Sequence, residues 1–474
     1  MHPAPEFLKV TDAPKGADSH GDIHNARAFA GMWRGVLLYV TDRHKWLLWD
    51  KGLWRLCEKG EEIKCAKAVC ADLYASAGRL LAKDADKGKR MAQEAISAHK
   101  LPRIKAMVEL ASSEPEMATT TDRLDADPYL LGVENGVVDL RSGNLLPNQP
   151  KLLITRTCAA SYLKEAECPR WLKFLDEVFE GDAETIKAVQ LLLGMTLIGT
   201  VIEEILVICV GVGANGKSVF ANVIAEILST YAKTAPSTIL TARRTGDSSA
   251  RNDLAALAGA RYVSINELQA EARLDEQVVK SLAGREPIAA RFLYGEYFEF
   301  RPTFTPWLRT NHKPIVTGDD DGIWRRLVIL PFRRKFTEHE QDPHLEAKLL
   351  GERDGILRWM VEGAEQYVKD GLKLSATMRA EQASYRKDSD LLGEFLGEKT
   401  ETDINGKVER STLFLNWRIW CEGNGVQAGS HKTFTQRLAE RGFRATQSNG
   451  KRLYVGLKLR PMWPTQGGEG GMGG

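Results

Sequence analysis

No stretch of about eighteen consecutive apolar residues occurs anywhere in the chain, which excludes a membrane-spanning helix of ordinary length. The opening MHPAPEFLKV lacks the apolar core of a secretory leader. Net charge is nearly absent: 65 Lys and Arg against 63 Asp and Glu leave +2, so any surface for a polyanion must be local. Paired cysteines are missing too. The seven, at 57, 65, 70, 158, 168, 209 and 421, are odd in number and contain no CxxC, so no disulfide framework is expected and reduced thiols in a cytoplasmic setting are. Cys57, Cys65 and Cys70 lie too irregularly for a zinc ribbon. No long internal repeat is present.

What the chain does have is length and ordinary globular composition: 474 residues, 43% hydrophobic and 27% charged. Several domains are expected, because single cores stop growing near 250–300 residues. Residues 1–21, rich in Pro, Gly, Asp and His, read as disordered. Residues 22–130 read as an α+β domain: Asp22 as a cap for a helix from about Ile23, two strands in Trp46–Trp54 around a Lys51-Gly52 turn, then helices through 61–112. Residues 131–199 read as strands near Asn135-Gly-Val-Val-Asp-Leu and Leu145, turned at Arg141-Ser-Gly-Asn, followed by a collar of two helices. Their apolar faces are Trp171, Phe174, Leu175, Val178, Phe179 and Ile186, Val189, Leu193. Residues 200–340 alternate apolar strands with helices, the pattern of a parallel α/β sheet. A charged helical extension (341–404), a small separate domain (405–462) and a flexible Gly-rich tail (463–474) complete the expected order.

Within 200–340 the run Ile205-Leu-Val-Ile-Cys-Val210 leads directly into Gly211-Val-Gly-Ala-Asn-Gly-Lys217-Ser218. An apolar helical face then follows at Val219, Phe220, Val223, Ile224, Ile227 and Leu228. Strand, glycine-rich loop and helix in this order form a phosphate cradle. Glycines let backbone N–H groups curl around phosphate at the positive end of a helix, Lys217 reaches the terminal phosphates, and the Ser218 hydroxyl holds Mg2+. ATP is therefore expected against Gly211, Gly213, Ala214, Asn215, Gly216, Lys217, Ser218 and Val219.

Hydrolysis also needs an acid at a neighbouring strand end. Arg261-Tyr-Val-Ser-Ile265 runs into Asn266-Glu267, and Glu267 can polarise water and help hold Mg2+. Only one carboxylate stands there, so it must serve both roles. Trp307-Leu-Arg-Thr310-Asn311 ends another strand and would bring the Asn311 amide beside the γ-phosphate. Asp319-Asp-Asp321 reads as a solvated loop. Arg325 and Arg326 after it can supply a cation to a neighbouring subunit's phosphoryl transfer, with Arg326 the first choice.

This order of motifs resembles the superfamily 3 helicases, and more closely the phage and plasmid primase-helicase family that includes the poxvirus-type proteins. Asn135-Gly-Val-Val-Asp-Leu and Cys168-Pro-Arg-Trp171 resemble its pre-helicase region. Gly211–Ser218 and Glu267 match its Walker motifs, and Pro287-Ile-Ala-Ala-Arg291-Phe-Leu-Tyr294 its motif B-prime. Ile323-Trp-Arg-Arg326 with Pro331-Phe332 resembles its arginine-finger segment. The resemblance spans roughly 120–400 strongly and 20–120 loosely. It implies an AAA+-like core closed into a homo-hexameric ring that hydrolyses ATP between subunits and moves 3′→5′ on single-stranded or forked DNA in phage or plasmid replication. No paired-carboxylate primase signature lies in 1–110, so a separate primase or polymerase partner is implied. An origin-binding initiator that does not translocate, or another DNA-directed ring ATPase, remains as the alternative.

Two stretches are candidate DNA surfaces. A hairpin at 288–301 could face the ring channel, with Lys280, Arg291 and Arg301 on phosphate and Tyr294 or Tyr297 on a base. Residues 431–460 hold eight Lys or Arg against Glu440 alone. A helix over Thr433–Arg441 followed by two strands joined through Asn449-Gly450 resembles a winged helix, with Lys451 and Arg452 on its wing.

Overall fold

The structure is a computed structural model that describes residues 21–241, 249–269, 272–292, 295–316, 321–424, 428–448 and 450–460. The expected disordered N-terminus short of Gly21, the Gly-rich tail, Tyr294, Asp319, Asp320 and Asn449 lie outside the described residues.

The N-terminal part opens with a helix over Asp22–Trp33. Gly21, not Asp22, occupies its cap position; Asp22 lies in the first turn, where it pairs with Arg103 at 3.1 Å. Strands Lys45–Asp50 and Leu53–Leu56 pair antiparallel around Lys51 and Gly52, both at positive φ (51° and 83°), as a tight two-residue hairpin turn requires. Three helices follow, Glu61–Leu81, Ala85–Ala98 and Leu101–Ala111, enclosing Phe29, Cys70, Ala98 and Met107. A second small sheet is made by Leu130–Val133, Gly136–Asp139 and Asn144–Leu146.

Two collar helices stand where the apolar spacing places them, α1 (Pro169–Val178) and α2 (Ala183–Thr196). Asp182 caps α2 by accepting from the Thr185 N–H at 2.9 Å. The central sheet has five strands: β1 (Leu206–Val210), β2 (Ala232–Ala235), β3 (Tyr262–Ile265), β4 (Thr305–Thr310) and β5 (Leu327–Pro331). All are parallel, in the order β5-β1-β4-β3-β2. Alternation splits their side chains between two cores. Val207, Cys209, Trp307 and Leu330 face one side, with the collar, α3 (Lys217–Leu228) and α4 (Arg353–Asp370). Leu206, Ile208, Val263 and Leu308 face the other. Helix α4 lies close on α2 because glycines meet at the crossing: a Cβ on Gly194 would sit 2.2 Å from the Ala364 nitrogen, and one on Gly363 2.2 Å from the Gln190 carbonyl. Helix α5 (Ala376–Asp388) runs beside β5.

The C-terminal unit has its own apolar cluster around Phe395, Trp417, Trp420, Phe434, Tyr454 and Leu457. Its order is helix Leu391–Lys399, strand Thr400–Glu409, helices Arg410–Gly423 and His431–Glu440, strands Ala445–Ser448 and Lys451–Leu459, with the last strand in the middle of the sheet. It therefore begins at Leu391, not at 405. Helix 391–399 reads from sequence as part of the charged extension, yet Phe395 packs edge-on against Trp417 at 5.3 Å and joins this core. No helix among the described residues is long and apolar enough to cross a membrane.

Candidate nucleotide and nucleic-acid sites

Parallel pairing decides where the functional loops emerge. Val210 lies opposite both Thr310 and Pro331, and Ile265 opposite Leu308. The segments that leave β1, β4, β5 and β3 thus share one edge of the sheet, the edge where ligands of open α/β sheets bind.

From β1 the chain turns through Gly211–Gly216 into α3, which starts at Lys217. Ala214 and Gly216 carry positive φ, 56° and 85°. Gly211 is required by proximity, since a Cβ there would lie 2.2 Å from the Phe332 carbonyl. Lys217 is buried, and its ammonium donates to the Gly211 carbonyl, to Asn311 Oδ1 at 3.1 Å and to Asn215 Oδ1 at 3.3 Å. Burial pulls its pKa below the ordinary lysine value, while the charge of Glu267 works against that shift. Asn215 is also buried. Its amide nitrogen donates to the Val212 carbonyl (3.3 Å) and the Phe332 carbonyl (3.4 Å), so the loop is tied to the segment that leaves β5. A second tie runs from the Phe336 N–H to the Ala214 carbonyl at 2.8 Å. Val212, Gly213, Ala214 and Ser218 are exposed and Val219 is partly covered. A Cβ on Gly213 would meet nothing within 4 Å, so the cradle is open on its outer side.

Glu267 is exposed just past β3. Beside it Asn266 accepts from Arg309 at 2.9 Å. Arg309 escaped the sequence reading; the signal was its place on β4, two residues ahead of Asn311. The paired arginines part company. Arg326 is buried, donates to the Gly322 carbonyl at 2.6 Å and forms an ion pair with Glu204 of its own chain. Arg325 is exposed, and its side chain makes no hydrogen bond or ion pair among the described residues. The preference for Arg326 as a cation offered to a neighbour is therefore reversed: the turn after Trp324 points the first arginine outward and commits the second to an internal carboxylate.

The hairpin pairs Ile288–Arg291 with Tyr297–Phe300. Arg291 stacks on the Tyr297 ring at 4.8 Å, and Arg301 donates to the Arg285 carbonyl at 3.2 Å. Lys280 is half-buried in helix Glu276–Leu282, and Tyr294 lies outside the described residues. Among the described residues of the hairpin the exposed rings are Tyr297 and Phe292, the latter stacked on Phe298 at 5.6 Å. Strand alternation puts Phe292 on the buried side with Ile288; it emerges because the strand ends at Arg291. In the C-terminal unit Lys451 is paired with Glu409 at 3.1 Å, while Arg452 is exposed.

Residues 26–180 match a family described as D5 N terminal like, and residues 209–326 match one described as a family of unknown function (DUF5906). A protein of Acanthamoeba polyphaga mimivirus named as a helicase is 30% identical over 324 residues, covering 64% of this chain and 34% of that protein. A protein of African swine fever virus named as a primase is 24% identical over 325 residues, covering 62% and 34%. The D5 primase of fowlpox virus is 22% identical over 323 residues, covering 65% and 38%. The chain thus spans about a third of the length of these curated relatives. Among solved structures, the apo C-terminal region of NrS-1 aligns with 88% of this chain and 95% of that one, at 12% identity and a TM-score of 0.49.

Proposed function

Because the chain belongs to the primase-helicase family of superfamily 3 that includes the D5 proteins of large DNA viruses, we propose that it is an ATP-hydrolysing DNA helicase acting in replication as a homo-hexameric ring. One observation carries this reading. Lys217 at the head of α3 reaches Asn311 at the end of β4, on the sheet edge that also presents Glu267 and the segment after β5. A structural lysine would need no exposed glycine cradle beside it.

ATP and Mg2+ fit the residues present. The open loop 211–216 offers backbone donors to phosphate, and Lys217 would exchange its carbonyl partner for phosphate oxygen. Ser218 and Glu267, both exposed, would hold Mg2+. Glu267 would also take the proton from the attacking water, with Asn311 orienting it, as the γ-phosphoryl bond breaks to give ADP and phosphate. Arg325, outward and uncommitted, would complete the site of the adjoining subunit.

DNA contact is assigned to two regions. Phe292 and Tyr297 would stack on bases of a single strand, with Lys280, Arg291 and Arg301 near its phosphates. The helix–strand–helix–helix–strand–strand unit from Leu391 would act as a winged helix on duplex, with Arg452 and Lys451 on its wing. A separate primase or polymerase would work alongside.

The test mixes an Arg325→Ala chain with a Lys217→Ala chain, each inactive alone. Mixed rings contain interfaces with one intact lysine and one intact arginine, and those should hydrolyse ATP. An arginine of this kind is worth about 10³–10⁵ in rate in related systems, so rare repaired interfaces are detectable. A mixture that forms mixed rings and stays inactive removes the shared site.

A further inference from the structure

Helix α5 is absent from every motif discussed so far, yet one stripe of it touches three of the segments that make the nucleotide site. Its start is fixed to the collar: fully buried Ser375 caps it and shares a hydrogen bond with Thr185 at 2.8 Å, and Thr377 donates to Asp182 at 2.8 Å. One turn further on, Glu381 accepts from Lys313 at 3.0 Å and from Arg333 at 2.7 Å. Lys313 stands two residues after Asn311. Arg333 follows Phe332, whose carbonyl accepts from Asn215. A single carboxylate thus joins the loop after β4 to the segment that straps the phosphate loop.

The same stripe reaches the arginine segment. Gln382 donates to the Trp324 carbonyl at 2.8 Å, and the Trp324 ring stands edge-on to Tyr385 at 5.2 Å. Arg386 pairs with Asp321 at 2.5 Å. Tyr385 donates to the Pro314 carbonyl and carries the Lys313 ammonium over its ring at 5.6 Å. Positions 381, 382, 385 and 386 lie on one helix face, as residues four apart must. A helix that only covered the sheet would fill this face with apolar groups. Here the Glu381 side chain is 21% exposed and its carboxylate holds two cations from different loops, and its pKa is lowered, mainly by the Arg333 hydrogen bond.

We infer that α5 couples the nucleotide site of one subunit to the arginine which that subunit offers to the next, with Glu381 as the positioning residue. The inference rests on the ATP-site reading above. Phosphate arriving at Lys217 removes the ammonium from Asn311, and the loop carrying Asn311 is bound through Lys313 to Glu381. A shift there moves a rigid helix whose next side chains hold Trp324 and Asp321, on either side of Gly322 and Ile323 and immediately before Arg325.

The full chain is assayed for ATP turnover with single-stranded DNA, and for binding of a fluorescent ADP analogue. Glu381→Gln should lower kcat about tenfold while analogue affinity stays within about twofold, a loss confined to the turnover step. In rings mixed with Lys217→Ala chains, turnover should rise above that of either chain alone. The Glu381→Gln subunit still has its lysine, and the Lys217→Ala neighbour still presents a correctly held Arg325. Unchanged kcat overturns the inference. So does a mixture without recovery, because Glu381 would then act only within its own site. Should Glu381→Gln melt well below the parent, Gln382→Ala, which removes only the bond to the Trp324 carbonyl, carries the same assay with the same two outcomes. Full turnover by Lys217→Ala alone would instead mark failure of the ATP-site reading.

Discussion

The Lys217 ammonium stands among three oxygens, from Gly211, Asn215 and Asn311. Lys217→Ala is therefore expected to reduce ATP turnover to background with an unchanged far-ultraviolet circular dichroism spectrum; near-normal turnover would refute the phosphate-loop assignment. Arg325 and Arg326 should separate by what each loses. Arg326→Ala leaves Glu204 without its closest cation, and since Glu204 is about one-third exposed the cost should be roughly 1–3 kcal/mol, below the 3–5 of a fully buried pair. It will show as a lower melting temperature. Arg325→Ala should leave the melting temperature unchanged and abolish turnover. The placement of the Gly211–Gly216 loop, Glu267 and Asn311 just past strand ends was legible because each is a residue type that follows an apolar run at a set offset. The choice between adjacent arginines was not, because one turn of backbone decides which is buried. Glu381 was invisible for a different reason: its partners lie 68 and 48 positions away.

At the level of elements, β1 and β5 are short continuous apolar runs, as strands covered on both faces are, whereas β2, Ala-Lys-Thr-Ala with its two middle residues exposed, carries no such signal. Lys51-Gly52 declared its hairpin. The boundary at Leu391 stayed hidden, because the aromatic partners of Phe395 come from helices that follow it in the chain. One element invites a pH test. Helix Glu61–Leu81 begins with Glu61, which accepts from the Lys59 N–H at 2.8 Å and from Arg55 at 3.0 Å. These bonds, the backbone one first, hold its carboxyl at about 2, below an ordinary 4.5. A carboxylate depressed in this way stabilises the fold above its unfolded pKa, and the contribution disappears as pH falls from about 4.5 towards 2. Glu61→Gln should therefore melt below the parent at pH 7, with the gap closing through that acid window. A gap that persists at the acid end would show that packing, not charge, sets the effect.

For the molecule as a whole, charge is the informative quantity, because a chain near neutrality concentrates cations at its C-terminal end. Reversing Arg452 to Glu should weaken duplex binding and reduce the salt slope by about 1 per lost phosphate contact. Lys451→Glu should do less, since Glu409 already occupies that ammonium. Equal effects would argue against the wing as the contact surface. DNA-stimulated turnover without strand separation on a forked duplex would favour an origin-binding initiator over a motor. A last property of the whole chain bears on how such motions can be watched. Six of the seven thiols are buried and Cys57 is half-covered; burial pushes Cys57, Cys65, Cys158, Cys168 and Cys209 up to about 12, Cys421 to about 11 and Cys70 upward. Maleimides react with thiolates, so the native sulfurs will label slowly. A cysteine placed at exposed Gln447 and another at exposed Lys335 would then accept a donor and an acceptor dye with little background. Energy transfer between them would report, turnover by turnover, whether the C-terminal unit moves with the nucleotide cycle.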